Sequence, residues 1–179
     1  MSGPGRVAAS LVTLLALLAL AAGLAPAAHA AADEVVAVRY TITKEIDAPP
    51  AKVWSHVTSG KSFAVWCPQW KKDANKTATL AKVGDSVDFM DEYGNGGRSI
   101  VTYIVKEKEL RVAHEPANGS YMCQARILLA PSGAGTKVTL IEQYTDESKP
   151  EDRQATATKA QAASEKALAE LARLCESAG

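Results

Sequence analysis

The chain has no run of lysines or arginines longer than the pair Lys71-Lys72, and its 20 basic and 20 acidic residues cancel to a formal net charge of zero. That excludes the electrostatic footprint of a nucleic-acid binder or of a protein drawn to anionic lipid. Cysteine is scarce. The three residues Cys67, Cys123 and Cys175 form no CxxC and no Cys/His cluster, which removes zinc coordination and thioredoxin-type exchange. Their odd number also limits intramolecular bridging to one pair. The regular oxygen-ligand spacing of a calcium loop is missing: Asp88, Asp91 and Glu92 precede a glycine-rich turn and read as a solvated strand face. No serine or cysteine nucleophile motif accompanies His56 or His114. No motif asks for a metal or a cofactor, and there is no internal repeat or low-complexity linker.

Long apolar runs are confined to the start. Arg6 gives a positive beginning, Val7 to Leu24 is an Ala/Leu/Val run, and Ala28-His29-Ala30 has the small-x-small form of a cleavage site. Gly23 and Pro26 interrupt a stretch nearly long enough to span a bilayer. The expectation is a signal peptide over residues 1–30, cleaved near Ala30/Ala31, with export to the periplasm or beyond and no stable membrane insertion afterwards. Residues 31–179 then form one domain, large enough for a single core.

Val35 to Ile46 reads as a strand of β-branched and aromatic residues. Pro49-Pro50 ends it, since proline donates no ladder hydrogen bond, and opens a helix, where an early proline is tolerated. Val53, Trp54 and Val57 share one stripe of that helix up to Thr58, and Gly60 stops it. Ser62 to Trp66 is a second short helix ended by Pro68. Strands are predicted over residues 76–80, 85–93, 98–106, 110–115, 120–130 and 136–145, separated by turn signals at Gly84-Asp85, Asn95-Gly96-Gly97, Asn118-Gly119 and Pro131-Ser132-Gly133. Such short connections imply antiparallel hairpins. Strict alternation puts Val138, Leu140, Glu142 and Tyr144 on one face and Tyr121, Cys123, Ala125, Ile127 and Leu129 on the matching face of the strand before. For residues 98–106 either parity would serve. Ser148-Lys149-Pro150-Glu151 has the form of a capping box, and no Gly or Pro interrupts the chain from there to Ser177. That predicts roughly 40 Å of helix. Its stripe is graded, from Ala157 and Ala160 through Ser164 to Ala167, Leu168, Leu171, Leu174 and Cys175. Side chains that small leave a cavity beneath the leading half, unless bulky sheet residues rise to meet them.

The order strand, two short helices, meander, long helix resembles the START-like, or Bet v-type, helix-grip superfamily (SRPBCC), and within it the exported bacterial proteins of polyketide cyclase/dehydrase type. The likeness rests on Ile46-Asp47-Ala48-Pro49-Pro50-Ala51-Lys52-Val53-Trp54, Trp66-Cys67-Pro68, Val83-Gly84-Asp85 and Pro131-Ser132-Gly133-Ala134-Gly135-Thr136-Lys137-Val138-Thr139-Leu140, and spans residues 36–175. It implies an α+β fold: a curved antiparallel β-sheet wrapped around a long C-terminal helix, with two short helices after the first strand. It says little about function, because this superfold hosts lipid carriers, hormone receptors, cyclases and accessory proteins. It also implies that the long helix ends over the short helices. That would bring Cys175 toward Cys67 for a disulfide and leave Cys123 a buried thiol, with no bridge or another pairing as the alternatives.

A cavity between sheet and helix would be lined by Phe89, Tyr103, Tyr121, Cys123, Leu140 and Tyr144, and roofed by Ala157 and Ala160. Trp66 and Trp70 flank its entrance, or Trp66 plugs the core; Trp54 belongs to the core. Glu142 is the polar residue of most interest. An inward carboxyl between Leu140 and Tyr144 is desolvated and serves as ligand anchor or general base, unless the strand twists it to the rim beside a lysine. His114 reads as a surface or satisfied-core histidine, with an acid/base role as the alternative. Three functions follow: a non-enzymatic carrier of a small hydrophobic molecule (a lipid, polyketide or aromatic compound), which is the preferred expectation; a cyclase- or aromatase-type enzyme using Glu142 or His114; and an accessory module that contacts a periplasmic protein.

Overall fold

A computed structural model describes residues 35–67, 76–90, 94, 96–119, 122–146 and 148–177. The elements run β1 (Val36–Ile46), α1 (Pro50–Val57), α2 (Gly60–Trp66), β2 (Ser86–Met90), β3 (Gly96–Val105), β4 (Glu109–Pro116), β5 (Cys123–Ser132), β6 (Gly135–Asp146) and α3 (Arg153–Glu176). All neighbouring strands are antiparallel, in the order β1-β6-β5-β4-β3-β2. This is the helix-grip architecture, with α3 packed against β1, α1 and α2.

The motifs explain themselves locally. Pro50 occupies the first turn of α1, and Val53, Trp54 and Val57 are its buried stripe. Ser59 caps α2 by accepting from the Ser62 amide. At the start of β6, a Cβ on Gly135 would stand 2.4 Å from the Ile46 carbonyl oxygen, so only glycine admits this close approach of two backbones. Beside it the buried Thr136 hydroxyl donates to the Ala48 carbonyl at 2.7 Å, tying the last strand to the turn before α1.

The core is one cluster, in which Val53, Phe63, Trp66, Val101, Leu110, Ile127, Leu140, Leu168 and Leu171 meet. In β3 both parities turn out to be used. The register shifts between Val101 and Tyr103, so Thr102 is an extra residue. Val101 faces the core before this β-bulge and Ile104 packs against the core after it.

Two predicted elements change. Residues 76–80 contribute one isolated bridge, Thr79 to Ser59, rather than a strand. The long helix begins at Arg153, later than its capping-box pattern suggests, because the Ser148 hydroxyl and amide both turn back to Asp146 Oδ1. Residues 150–152 form turns instead. Among the described residues no helix is long and apolar enough to cross a membrane.

Candidate functional site

Register sorts the concave face of the sheet into rows. One row runs Ile104, Leu110, Ile127, Leu140, Ile42 from β3 to β1, and is apolar throughout. The next runs Val101, Val112, Ala125, Glu142, Tyr40. The third is Ser99, His114, Cys123, Tyr144, Val38. Polarity therefore rises along the strands, and the two polar rows face the middle of α3.

Between them lies a chamber of about 60 Å³, lined on the sheet side by Val112, His114, Ala125, Ile127, Leu140 and Glu142. Phe63, Trp66 and Cys67 close one flank, and Ala163, Ser164 and Ala167 form the roof. A water molecule takes roughly 30 Å³ of liquid, and pockets for drug-sized ligands occupy roughly 300–1,000 Å³. The chamber has room for a few waters and is several-fold smaller than such pockets.

Glu142 is its polar centre. Tyr40, directly opposite on β1, donates its hydroxyl to Oε2 at 2.7 Å, and Ser164 from α3 donates to Oε1 at 3.3 Å. Tyr40 also lies 3.0 Å from Ser164 Oγ and 3.3 Å from the Ala160 carbonyl. Burial pushes the Glu142 carboxyl above the usual carboxylate range, and the two hydroxyls only partly oppose that. Burial and the neighbouring Glu142 push the Tyr40 phenol far upward, so it remains a donor. Burial first, then Glu142, raises the Cys123 thiol far above its ordinary value, which leaves it an unreactive thiol.

His114 stands on the chamber's other side. Its Nδ1 is 2.6 Å from the Oγ of fully buried Ser99, and burial lowers it to about 4. It is a neutral imidazole at pH 7. Phe89 packs edge-on against it at 5.9 Å, lying over Gly97, where a Cβ would come within 2.6 Å of the ring. The Tyr144 hydroxyl is buried without a hydrogen-bond partner among the described residues, 6.4 Å in ring centroids from Tyr40.

Of the residues expected to line a cavity, Trp66, Leu140, Glu142 and His114 do so. Trp66 is also the plug, its ring 4.6 Å from Phe63 and its Nε1–H directed at the His56 carbonyl. Cys123 and Tyr144 sit in the adjoining row, and Phe89 backs His114 rather than the chamber. Tyr103 is misplaced by the expectation: the bulge turns it to the convex face, under the Arg111 guanidinium at 4.6 Å. Ala157 and Ala160 lie half-buried ahead of the chamber, which sits one to two turns further along the helix. The expected Cys67–Cys175 bridge is not formed. Cys67 lines the chamber together with Ser164 and Ala167, which lie 8 to 11 residues, about 12–16 Å along α3, before Cys175. Trp70, Tyr121, Asp91 and Glu92 lie outside the described residues.

Tyr40 and Ser99 went unnoticed in the sequence. Tyr40 had a signal, since Val36, Val38, Tyr40 and Ile42 alternate with Arg39, Thr41 and Thr43.

The profile of the family described as polyketide cyclase/dehydrase and lipid transport matches residues 37–176. The chain belongs to that family. Solved structures agree on the fold of this polyketide cyclase/dehydrase-type domain. A Chromobacterium violaceum protein, CV1439, superposes with a TM-score of 0.60 at 18% identity, over 78% of this chain and 98% of its own. CalU16 from Micromonospora echinospora gives 0.55 at 17% identity, over 80% and 85%. DynU16, from the dynemicin biosynthetic locus, gives 0.58 at 17% identity, over 78% of this chain but 47% of its own. No curated protein matches the chain.

Proposed function

We propose that the protein is an exported, non-catalytic carrier of a small, mainly apolar molecule with a hydroxyl or other hydrogen-bond donor at one end. The observation that carries this reading is Glu142. A carboxyl set among Leu140, Ala125 and Ile127 is costly to bury, and no cation pairs with it among the described residues. A carboxylate offers about four acceptor positions. Tyr40 and Ser164 account for two, and the chamber lies in front of the group. A ligand hydroxyl supplies the missing donor while its apolar body covers the Leu140 and Ile127 rows, at about 25 cal/mol per Å² of apolar area removed from water. The family's description, which includes lipid transport, supports binding. The Ala/Leu run and Ala28-His29-Ala30 support export.

Native mass spectrometry of the protein isolated from its host tests this. The expected result is a co-purifying small molecule on wild type, lost from Glu142→Gln, whose melting temperature holds or rises. Retention of the adduct by a less stable Glu142→Gln would make Glu142 structural and overturn the assignment.

One observation favours an enzyme as the second reading: Glu142 and His114 face the same chamber, a raised carboxyl and a neutral imidazole suited to moving a proton. Incubating the co-purified molecule with fresh protein separates the two. An unchanged mass and chromatographic retention are expected for a carrier, and loss of water or an isomer of shifted retention, from ring closure, for an enzyme.

A further inference from the structure

A second hollow lies on the opposite face of the sheet. A groove of about 150 Å³ runs over the convex side, between Arg39 on β1, Arg111 on β4 and Arg126 on β5, with Gln143, Gln124 and Thr102 as its remaining polar walls and Ile141 at its floor. We propose that this groove binds a soluble phosphomonoester through its phosphoryl group.

Charge comes first. In a chain of zero net charge, three guanidinium groups converge here, and the carboxylate bonded to them is Glu109, whose Oε1 accepts from the Nε of Arg111 at 2.5 Å and of Arg126 at 2.6 Å. The local balance is three positive against one negative, or +2. Arg111 and Arg126 are direct cross-strand partners, an arrangement of like charges that costs stability. One carboxylate does not neutralise both, and Arg39 has no ion pair among the described residues. A phosphomonoester carries −1.5 to −2 near neutral pH, which matches the excess.

Preorganisation comes second. Glu109 holds two of the guanidinium groups, and the Tyr103 ring lies against Arg111 at 4.6 Å. Much of the rotamer entropy of these long side chains is lost before any ligand arrives. The guanidinium fork suits paired oxygens. The glutamine amides and the Thr102 hydroxyl add neutral donors around a third oxygen. Arg39 comes from β1 and the other two from β4 and β5, so the site depends on the finished sheet. It is independent of the ligand chamber on the concave face.

Calorimetric titration of the intact protein with inorganic phosphate and with phenyl phosphate, at constant ionic strength, tests the proposal. Saturable one-to-one binding is expected for both, weakening as pH falls below about 6 and the dianion is lost. Arg39→Gln, an exposed change with the fold checked by circular dichroism, is expected to weaken binding about tenfold. Arg39→Lys should fall between wild type and Arg39→Gln. No saturable heat, or an Arg39→Gln titration identical to wild type, would overturn it. So would association with phosphatidic acid vesicles when neither soluble phosphate binds, since the source would then be a membrane surface.

Discussion

Tyr40 and Glu142 face each other across β1 and β6 and meet Ser164 from the helix, so three elements share one small polar knot. Removing the phenol by Tyr40→Phe leaves Oε2 of a buried carboxyl without its donor. The expected cost is about 1–3 kcal/mol in urea unfolding. The cost should shrink in a Glu142→Gln background, because neighbours in one network do not add; strict additivity of the two changes would show that the knot is not energetically coupled. The two titratable groups of the chamber have opposite pH signatures. Glu142 keeps its proton to a higher pH in the folded protein than in the unfolded chain. Between those two values the folded state binds more protons, so stability is fullest below the ordinary carboxylate value and declines as pH rises through the window. Glu142→Gln should abolish that decline. His114 works the other way. Its folded value near 4 lies below the ordinary 6.5, so the unfolded chain binds more protons between them. Stability from this residue is complete above 6.5 and is lost as pH falls toward 4. Following the His114 imidazole by NMR checks it: titration near 6.5 would mean that the ring is solvated. At this scale the sequence spoke through alternation. The inward parity of Glu142 was legible in Val138-Leu140-Glu142-Tyr144, and that of Tyr40 in its own alternation, whereas their meeting required knowing that β1 pairs with β6.

Along α3 the side chains grow from Ala157 and Ala160 to Leu168 and Leu171, and burial follows the same gradient. Leu171 is fully buried, so Leu171→Ala should cost about 2–5 kcal/mol. An Ala157→Ser change on the half-buried leading turns should cost under about 0.5 kcal/mol. Urea unfolding of the two variants gives the comparison, and equal costs would contradict the gradient. The grading was legible because side-chain volume is written in the sequence. The position of the hollow was not, because it depends on Phe63 and Trp66 reaching in from α2 and on Tyr40 rising under Ala160. The chamber therefore sits under Ala163, Ser164 and Ala167. The same limit applies elsewhere. A single extra residue at Thr102 inverts the faces of β3, and periodicity cannot place a bulge inside a strand that is apolar on both faces. Likewise, Ser148 has the right residue type and spacing for a cap, but Asp146 competes for its hydroxyl and amide more closely in sequence than the helix does.

Residues 35–177 form a sheet whose apolar end packs against the leucines of α3 and whose polar end meets its small side chains, and under the proposed carrier function that asymmetry sets where a ligand enters. A chamber of about 60 Å³ cannot admit a lipid, polyketide or aromatic compound without enlarging, since such molecules need pockets several times larger. Enlargement must come from whichever contact costs least to break. The trailing half of α3 carries Leu168, Leu171, Ala172 and Cys175 in the core, each leucine contributing about 1.5–3 kcal/mol of burial. The leading half is held by small half-buried side chains and the Tyr40 hydrogen bonds. Lifting residues 153–163 while the C-terminal turns stay docked opens the space in front of Glu142 and leaves the core intact. Local opening of this kind sits at the low end of a protein's stability spectrum and is read by amide exchange. Amides of residues 157–163 should therefore exchange well before those of residues 168–175 in the empty protein, and saturation with the co-purified molecule should slow the first group far more than the second. Uniform exchange along α3, unchanged by the ligand, would mean that the helix does not act as the door.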